Sequence, residues 1–342
     1  MKGCFDFRFS DEDPKMRDSL AMFFPGDFST DTVVKVTKAD VERNLVPATL
    51  YVIVSVAVLE DARVMLADPS VISEVDSLVG DPSVKLRLLC FNGDGEILFS
   101  ESQLIIERGL KSRMMSAGML VIFGKRKGLI VASENFHFLK PSGDHCDGFI
   151  RASNLLIAGE EVCFLALEIL PYLRGDLRVI YVDTSSISYL ISIAILMSQK
   201  FQGNVPTIES FESYAAFSQP FDFIEDDSSA VFISATTSGS LAEKLLAQTA
   251  FSTTQIVTLF FSRLPEGQLG IFDISFGKDA DIRSFKSENC DLCADGSRLI
   301  RIVGDQFLPE TPANEQLLIR KVDFSEKREK FFKEFAAKKI LK

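Results

Sequence analysis

Tryptophan is absent from this chain, tyrosine occurs 5 times and histidine twice, while phenylalanine occurs 30 times. Phenylalanine has ring area but no polar handle, so most of that area is expected in the core. Long apolar runs are missing too. The longest, LYVIVSVAVL (50–59) and YLISIAILM (189–197), fall far below the roughly 20 residues that span a bilayer, so no membrane partner is expected. The start, MKGCFDFRF, lacks the apolar run of a signal peptide. Positive charge is in deficit: 37 Lys plus Arg face 48 Asp plus Glu, a net of −11 over 342 residues. A surface that acidic is a poor general coat for nucleic acid and leaves only a local basic patch for that role. The six cysteines, at 4, 90, 146, 163, 290 and 293, form no regular framework. Free thiols in a reducing, cytoplasmic setting are expected.

What is present is ordinary globular composition, 46% hydrophobic and 25% charged, with a length that suggests two domains. Residues 1–133 read as a mixed α/β N-terminal domain, a scaffold or a surface for partner recognition. Phe5, Phe7 and Phe9 alternate with polar residues, as in a strand. The β-branched run VVKVT (33–37) reads as a strand, and LYVIVSVAVL as a central one. KLRLLCF and ILFS, joined by Asn92-Gly93-Asp94-Gly95, read as a hairpin. MLVIFG (119–124), KRKG and LIVAS (129–133) read as a second hairpin, with helical spacing in the segment between the two. Residues 134–324 alternate instead: a helix near 154–172, strand LRVIYVD (177–183), a helix near 187–200, then the loop VPTIESFESYAAF (205–217). Strand AVFISA (230–235), helix SLAEKLLAQTA (240–250) and strand TQIVTLFFS (254–262) follow. This grammar argues for βαβ units on a parallel sheet, whose ligands sit beyond the carboxyl ends of the strands. Residues 325–342 carry 7 Lys plus Arg and 3 Glu along an apolar stripe, which reads as a basic amphipathic helix. It is either a packing helix or a docking helix for a protein partner or a nucleic-acid backbone.

Three segments carry the chemistry. In AVFISATTSGSLAEKL (230–245) an apolar strand meets Thr236, Thr237, Ser238, Gly239 and Ser240 and then a helix. Hydroxyls, a glycine and a helix N-terminus together suit a phosphate, although serine and threonine also cap helices. In VIYVDTSSISYLISIA (179–194), Asp183, Thr184, Ser185 and Ser186 repeat the layout and could hold a second phosphate, or simply form a turn and cap. FHFLKPSGDHCDGFIRASN (136–154) gathers His137, Lys140, Asp144, His145, Cys146 and Arg151. Lys140 and Arg151 suit an anion, and His145 suits acid–base work or a metal. Ser210-Phe211 and Ser213-Tyr214 read either as a lid over a base or as plain core and turn residues. Cys290 and Cys293 in CDLC read as half a zinc knuckle. Structural zinc wants four ligands, only the distant His145 and Cys146 offer completion, and so no metal is assigned.

In this order the three segments resemble a type I phosphoribosyltransferase, most of all the orotate phosphoribosyltransferase branch, over roughly residues 136–265. FLKPSGDH is similar to the turn that opens such a domain, VDTSSIS stands where a pyrophosphate loop follows the next strand, and ISATTSGSL stands in the phosphate-signature slot. The resemblance implies an α/β fold: a parallel-sheet phosphoribosyltransferase-like domain preceded by the smaller mixed α/β domain. It implies phosphoribosyl pyrophosphate or a nucleotide as ligand, with magnesium as the companion of a pyrophosphate. The pattern departs at the catalytic positions. Where the family places two carboxylates, this chain has Ser234 and Ala235, and Asp226 and Asp227 precede the strand. The 205–217 loop has no basic residue, and DTSSIS has no glycine. Losing such electrostatic groups costs about 10²–10³ in rate each.

The expected function is therefore a phosphoribosyltransferase-like ligand-binding or regulatory subunit, degenerate in ordinary transferase catalysis. One alternative is an active enzyme that transfers or hydrolyses an N-glycosidic bond with His145, Asp183 or Asp144 in new catalytic roles. Another is a structural subunit of a bacterial defence or stress complex, working through a protein partner or a second copy of itself.

Overall fold

The computed structural model describes residues 3–10, 17–133, 135–140, 142–213, 217, 221–275, 282–303, 306–309 and 330. The helix expected over 325–342 lies, apart from Lys330, outside them.

The chain opens with β1 (Phe5–Phe9), β2 (Ser19–Phe24), α1 (Thr30–Val41), β3 (Thr49–Ser55), α2 (Leu59–Leu66), α3 (Pro69–Val79), β4 (Lys85–Phe91) and β5 (Ile97–Phe99). These strands form one sheet in sequence order. β2, β3 and β4 are parallel, and β1 and β5 are antiparallel edges. The β4–β5 hairpin agrees with the sequence reading, with Leu89 opposite Phe99. The run VVKVT does not form a strand; it lies in α1. Ser29 caps that helix by accepting from the Thr32 N–H, and Val33, Val36 and Thr37 bury one side of it. Their i, i+3, i+4 spacing outweighs their β-branching. LYVIVSVAVL is strand only to Ser55, whose Oγ accepts from the Ala57 N–H 3.3 Å away and turns the chain toward α2.

The second expected hairpin is also overturned. MLVIFG ends the long helix α4 (Arg108–Lys125), whose buried positions include Met115, Met119 and Ile122. β6 (Leu129–Val131) then pairs not with that segment but with the later strand Gly148–Ile150. β7 (Phe136–Leu139), β8 (His145–Cys146) and β9 (Gly148–Ile150) follow. β7 and β8 form an antiparallel hairpin, Leu139 opposite His145. The helix expected near 154–172 is interrupted. A 3-10 turn at Ala152–Leu155 precedes α5 (Gly159–Leu167), and another turn at Leu170–Tyr172 holds Pro171, which cannot donate within a continuing helix.

The second large sheet comprises β10 (Val179–Val182), β11 (Thr207–Ser210), β12 (Ser229–Thr236), β13 (Ile256–Phe261) and β14 (Leu269–Asp273). α6 (Ser188–Ser198) links β10 to β11, and α7 (Ser240–Gln248) links β12 to β13. All pairings are parallel, in the order β11-β10-β12-β13-β14. The expected alternation is thus observed, except that TIES of the supposed loop is the edge strand β11. The chain then returns to the β7–β8 hairpin. β15 (Ser284–Phe285), the short helix α8 (Asp291–Ala294), β16 (Arg298–Val303) and β17 (Gln306–Pro309) complete a small sheet ordered β15-β8-β7-β16-β17. No helix among the described residues is long and apolar enough to cross a membrane.

One apolar core runs from the first sheet through α4 and α5 to one face of the second sheet, taking in Tyr51, Met119, Phe164, Ile180 and Phe232. Phe164 is its hub. It is fully buried and meets Phe5, Phe7 and Phe23 edge-on, with ring centroids 5.1–5.5 Å apart. Most of the described phenylalanines are thus core. Nearby, the buried Glu161 of α5 takes Arg126 Nε at 2.6 Å and Lys125 Nζ at 2.8 Å. Burial pushes its pKa up, but the hydrogen bonds and charges of Arg126 and Lys125 prevail and hold it below the usual glutamate value.

Phe164→Ala is expected to cost about 3–5 kcal/mol in urea unfolding of the full chain. Glu161 stabilises the fold above its unfolded pKa, and that contribution fades as pH falls through the lowered folded value. Glu161→Gln should therefore be less stable than the parent at pH 7, and the gap measured by unfolding should close below about pH 4.

Candidate functional site

β10 and β12 lie side by side in register, Val182 opposite Phe232, and both end at the same edge of the sheet. Alternate residues face opposite sides. Ile180, Val182 and Phe232 pack with α6 residues Leu190 and Ile191, whereas Tyr181, Val231 and Ile233 pack with α7 residues Leu241 and Leu245. The two connections therefore leave to opposite faces and open a crevice beyond the strand ends, the place where open α/β sheets hold ligands. A cleft of about 980 Å³ lies there, a volume suited to a small molecule. Its walls include Asp183 and Thr184 after β10, Thr236, Thr237, Ser238 and Ser240 after β12, and Lys140 and Asp144 from the β7–β8 turn.

The bend after β12 is built around two residues. Thr236 Oγ1 accepts from the Gly239 N–H at 2.8 Å and the Ser238 N–H at 3.3 Å, which curls the chain into α7. Gly239 has φ +76°, and a Cβ there would overlap Pro265 Cδ and stand 2.6 Å from Gln268 Oε1. The first turn of α7 then offers N–H groups that have no i−4 carbonyl, at the positive end of the helix dipole. Lys140 Nζ crosses from the small sheet and donates to Thr237 Oγ1 at 2.9 Å and to Ser284 Oγ at 3.1 Å. Its turn is closed by the Lys140 N–H on the Asp144 carbonyl at 2.8 Å, with Gly143 at φ +92°. Lys140, Arg263 and Arg283 face Asp144 and Asp183 around the cleft, a local positive excess in a chain of net −11. Arg283 is also bonded to Asp147, and Lys286 to Asp144.

Asp183 is buried, and its carboxylate accepts from the Ser234 N–H and Ser234 Oγ, both at 2.8 Å. Ser234 is one of the two positions at which the resemblance implied an acid. Here it anchors a carboxylate from the neighbouring strand. Asp226 and Asp227 precede Ser229, at the opposite edge of the sheet, where Asp226 Oδ1 accepts from Ser228.

Five residues expected at the site are not on the cleft wall: Gly239, which shapes the bend from behind, and His145, Arg151, Ser185 and Ser186. Neighbours on a strand point to opposite faces, so with Cys146 on the cleft wall, His145 turns away, and its Nδ1 lies 3.2 Å from His137 Nε2. Arg151 heads a 3-10 turn, its N–H bonded to the Gly128 carbonyl and its Nε to Ser153 Oγ. Ser185 and Ser186 lie in the turn Ser185–Ile187, with Ser186 Oγ 3.0 Å from Thr184 Oγ1. Of the two readings of residues 210–214, Phe211 takes the one as a core residue. Phe211 is buried among Phe221 and Phe223, Ser213 reaches the cleft, and Tyr214 lies outside the described residues. Burial pushes the Cys146 thiol up to about 11, so it is no thiolate nucleophile at neutral pH.

Arg263 and Arg283 were not foreseen. Arg263 follows β13, at the same carboxyl edge already singled out for β10 and β12, so that rule could have found it. Arg283 comes from beyond the parallel sheet, and no local pattern marks it. Cys290 and Cys293 do meet His145, but the fourth member of their cluster is His137 rather than Cys146. Burial, and then the charge of His145, lower the His137 pKa below the usual histidine value.

No family model matches this chain, and no curated protein matches it. The chemistry of the cleft therefore rests on its own residues.

Gly239→Ala forces a side chain into a left-handed, crowded position. It is expected to cost about 1–3 kcal/mol in thermal unfolding, whereas Gly80→Ala, also left-handed at φ +64° but with open space around it, should cost less.

Proposed function

We propose that the cleft binds a phosphate-bearing ligand of the ribose-phosphate or nucleotide class, and that the chain works as a ligand-binding or regulatory subunit. One observation carries this reading: the Lys140 ammonium stands 2.9 Å from Thr237 Oγ1, beside a hydroxyl-lined bend that leads into a helix N-terminus. A cation, hydroxyl donors and helix N–H groups converging on one point are what an anion requires in place of water.

The parallel sheet and its switch point support a phosphoribosyltransferase-like arrangement, with the Thr236–Ser240 bend as the phosphate seat and Thr184 beside a second anionic group. A pyrophosphate ligand would bring magnesium with it. Ordinary phosphoribosyl transfer is not proposed, because the positions of the paired acids hold Ser234 and Ala235. Asp183 sits at the head of the β10 loop, and both its oxygens accept hydrogen bonds from Ser234. Its role in this reading is to hold the strand ends at a fixed spacing.

Calorimetric titration of the full chain with phosphoribosyl pyrophosphate, nucleoside monophosphates and inorganic phosphate tests the reading. Saturable binding of at least one is expected. Lys140→Ala should weaken it about 10- to 100-fold, the worth of one charge-assisted hydrogen bond. No heat with any of these ligands, or undiminished affinity in Lys140→Ala, refutes the proposal.

A further inference from the structure

His137 of β7, His145 of β8 and the Cys290–Cys293 turn come from separate stretches of the chain, yet their donor atoms all lie within 4.8 Å of one another. His137 Nε2 is 3.2 Å from His145 Nδ1, 3.3 Å from Cys293 Sγ and 3.7 Å from Cys290 Sγ, and Cys293 Sγ is 3.3 Å from His145 Nδ1. We infer that these four side chains bind a zinc ion in a closed Cys₂His₂ site that clasps the small sheet.

The distances match such a site. Zinc bonds nitrogen at about 2.0–2.1 Å and sulfur at about 2.3 Å, so a tetrahedron of these ligands has edges of about 3.4 Å between nitrogens and about 3.6 Å between nitrogen and sulfur. The chemistry matches as well. His137, His145 and Cys290 are buried, and the four donor atoms converge on one point. Two thiolates and two neutral imidazoles would cancel the charge of a divalent ion inside the protein. Tetrahedral S₂N₂ coordination selects zinc among the common divalent ions. The outer contact is in place too: the other ring nitrogen of His137, Nδ1, lies 3.1 Å from Ser297 Oγ, the kind of partner that orients a metal-bound imidazole.

The local backbone forms a knuckle around the sulfurs. The Ala294 N–H bonds the Cys290 carbonyl, the Gly296 N–H bonds the Cys293 carbonyl, and Gly296 takes φ +81° to release the chain into β16. β16 then runs parallel to β7 with Leu299 opposite His137. A clasp there has a physical purpose. Among the described residues, the small sheet's own cluster has Phe138, Cys146 and Ile302 buried, and a small core is commonly reinforced by a disulfide or a metal. Four protein ligands leave no open position, so the site is structural, and it is independent of how the cleft is read. It fixes both arms of the hairpin whose turn carries Lys140 and Asp144.

Elemental analysis of the full chain, dialysed against zinc and then against metal-free buffer, should give about one zinc per chain. Cys290→Ser and His137→Gln should each lower zinc affinity at least about tenfold. Should either variant fold poorly, the unmutated chain still decides the matter. Cobalt loaded in place of zinc should give the intense visible bands of tetrahedral coordination with a thiolate charge-transfer band, and added zinc should displace it. No retained zinc, a weak octahedral-type cobalt spectrum, or full zinc retention in both variants would overturn the inference.

Discussion

Parallel strands share one carboxyl edge, and β10 and β12 use that edge side by side. Because α6 and α7 depart to opposite faces, nothing in the sheet can fill the gap between the two strand ends. The Asp183–Ser234 hydrogen bonds set the width of the gap, and the Thr236 hydroxyl curls its far lip into α7. The cleft is therefore a consequence of topology before it is a consequence of any particular side chain. What the side chains add is polarity: hydroxyls, a helix N-terminus and Lys140 line the gap, and the proposed anion site rests on them.

The small sheet closes that arrangement from the other side. It carries Lys140 on a turn and brings Ser284 to the same ammonium, so the cleft has walls from two separate sheets. Among the described residues the small sheet's own apolar cluster is small, and the proposed zinc clasp lies on the face of the hairpin opposite the cleft. On this view His145 and Lys140 share one hairpin with divided labour, one turned toward the metal and the other toward the ligand. The strand period of two separates the two jobs without any further device.

Local pattern was enough for the parts of the structure that local physics dictates. The alternation of Phe5, Phe7 and Phe9 marks β1, Asn92-Gly93-Asp94-Gly95 marks the β4–β5 turn, and the apolar runs before Asp183 and Thr236 mark two central strands. Pattern misled where a short apolar run serves either element. VVKVT and MLVIFG carry β-branched or bulky residues, yet both lie in helices, because α1 and α4 bury a helical stripe that only the neighbouring layers define. Ser29 capping and the continuation from Arg108 were the local hints in favour of helix.

The sequence by itself determined the hydroxyl-and-glycine bend Thr236–Ser240, the acid-and-hydroxyl loop at Asp183–Thr184 and their shared place at the ends of apolar strands, since each is a local pattern of residue types. Only the tertiary structure decided that Lys140 meets Thr237 across 97 residues, that Arg263 and Arg283 share the wall, and that His145 faces away from it. The same holds for the partners of Cys290 and Cys293. Two ligands 153 and 148 residues away from those sulfurs leave no spacing motif to read, because their proximity comes from β7, β8 and β16 lying in one sheet.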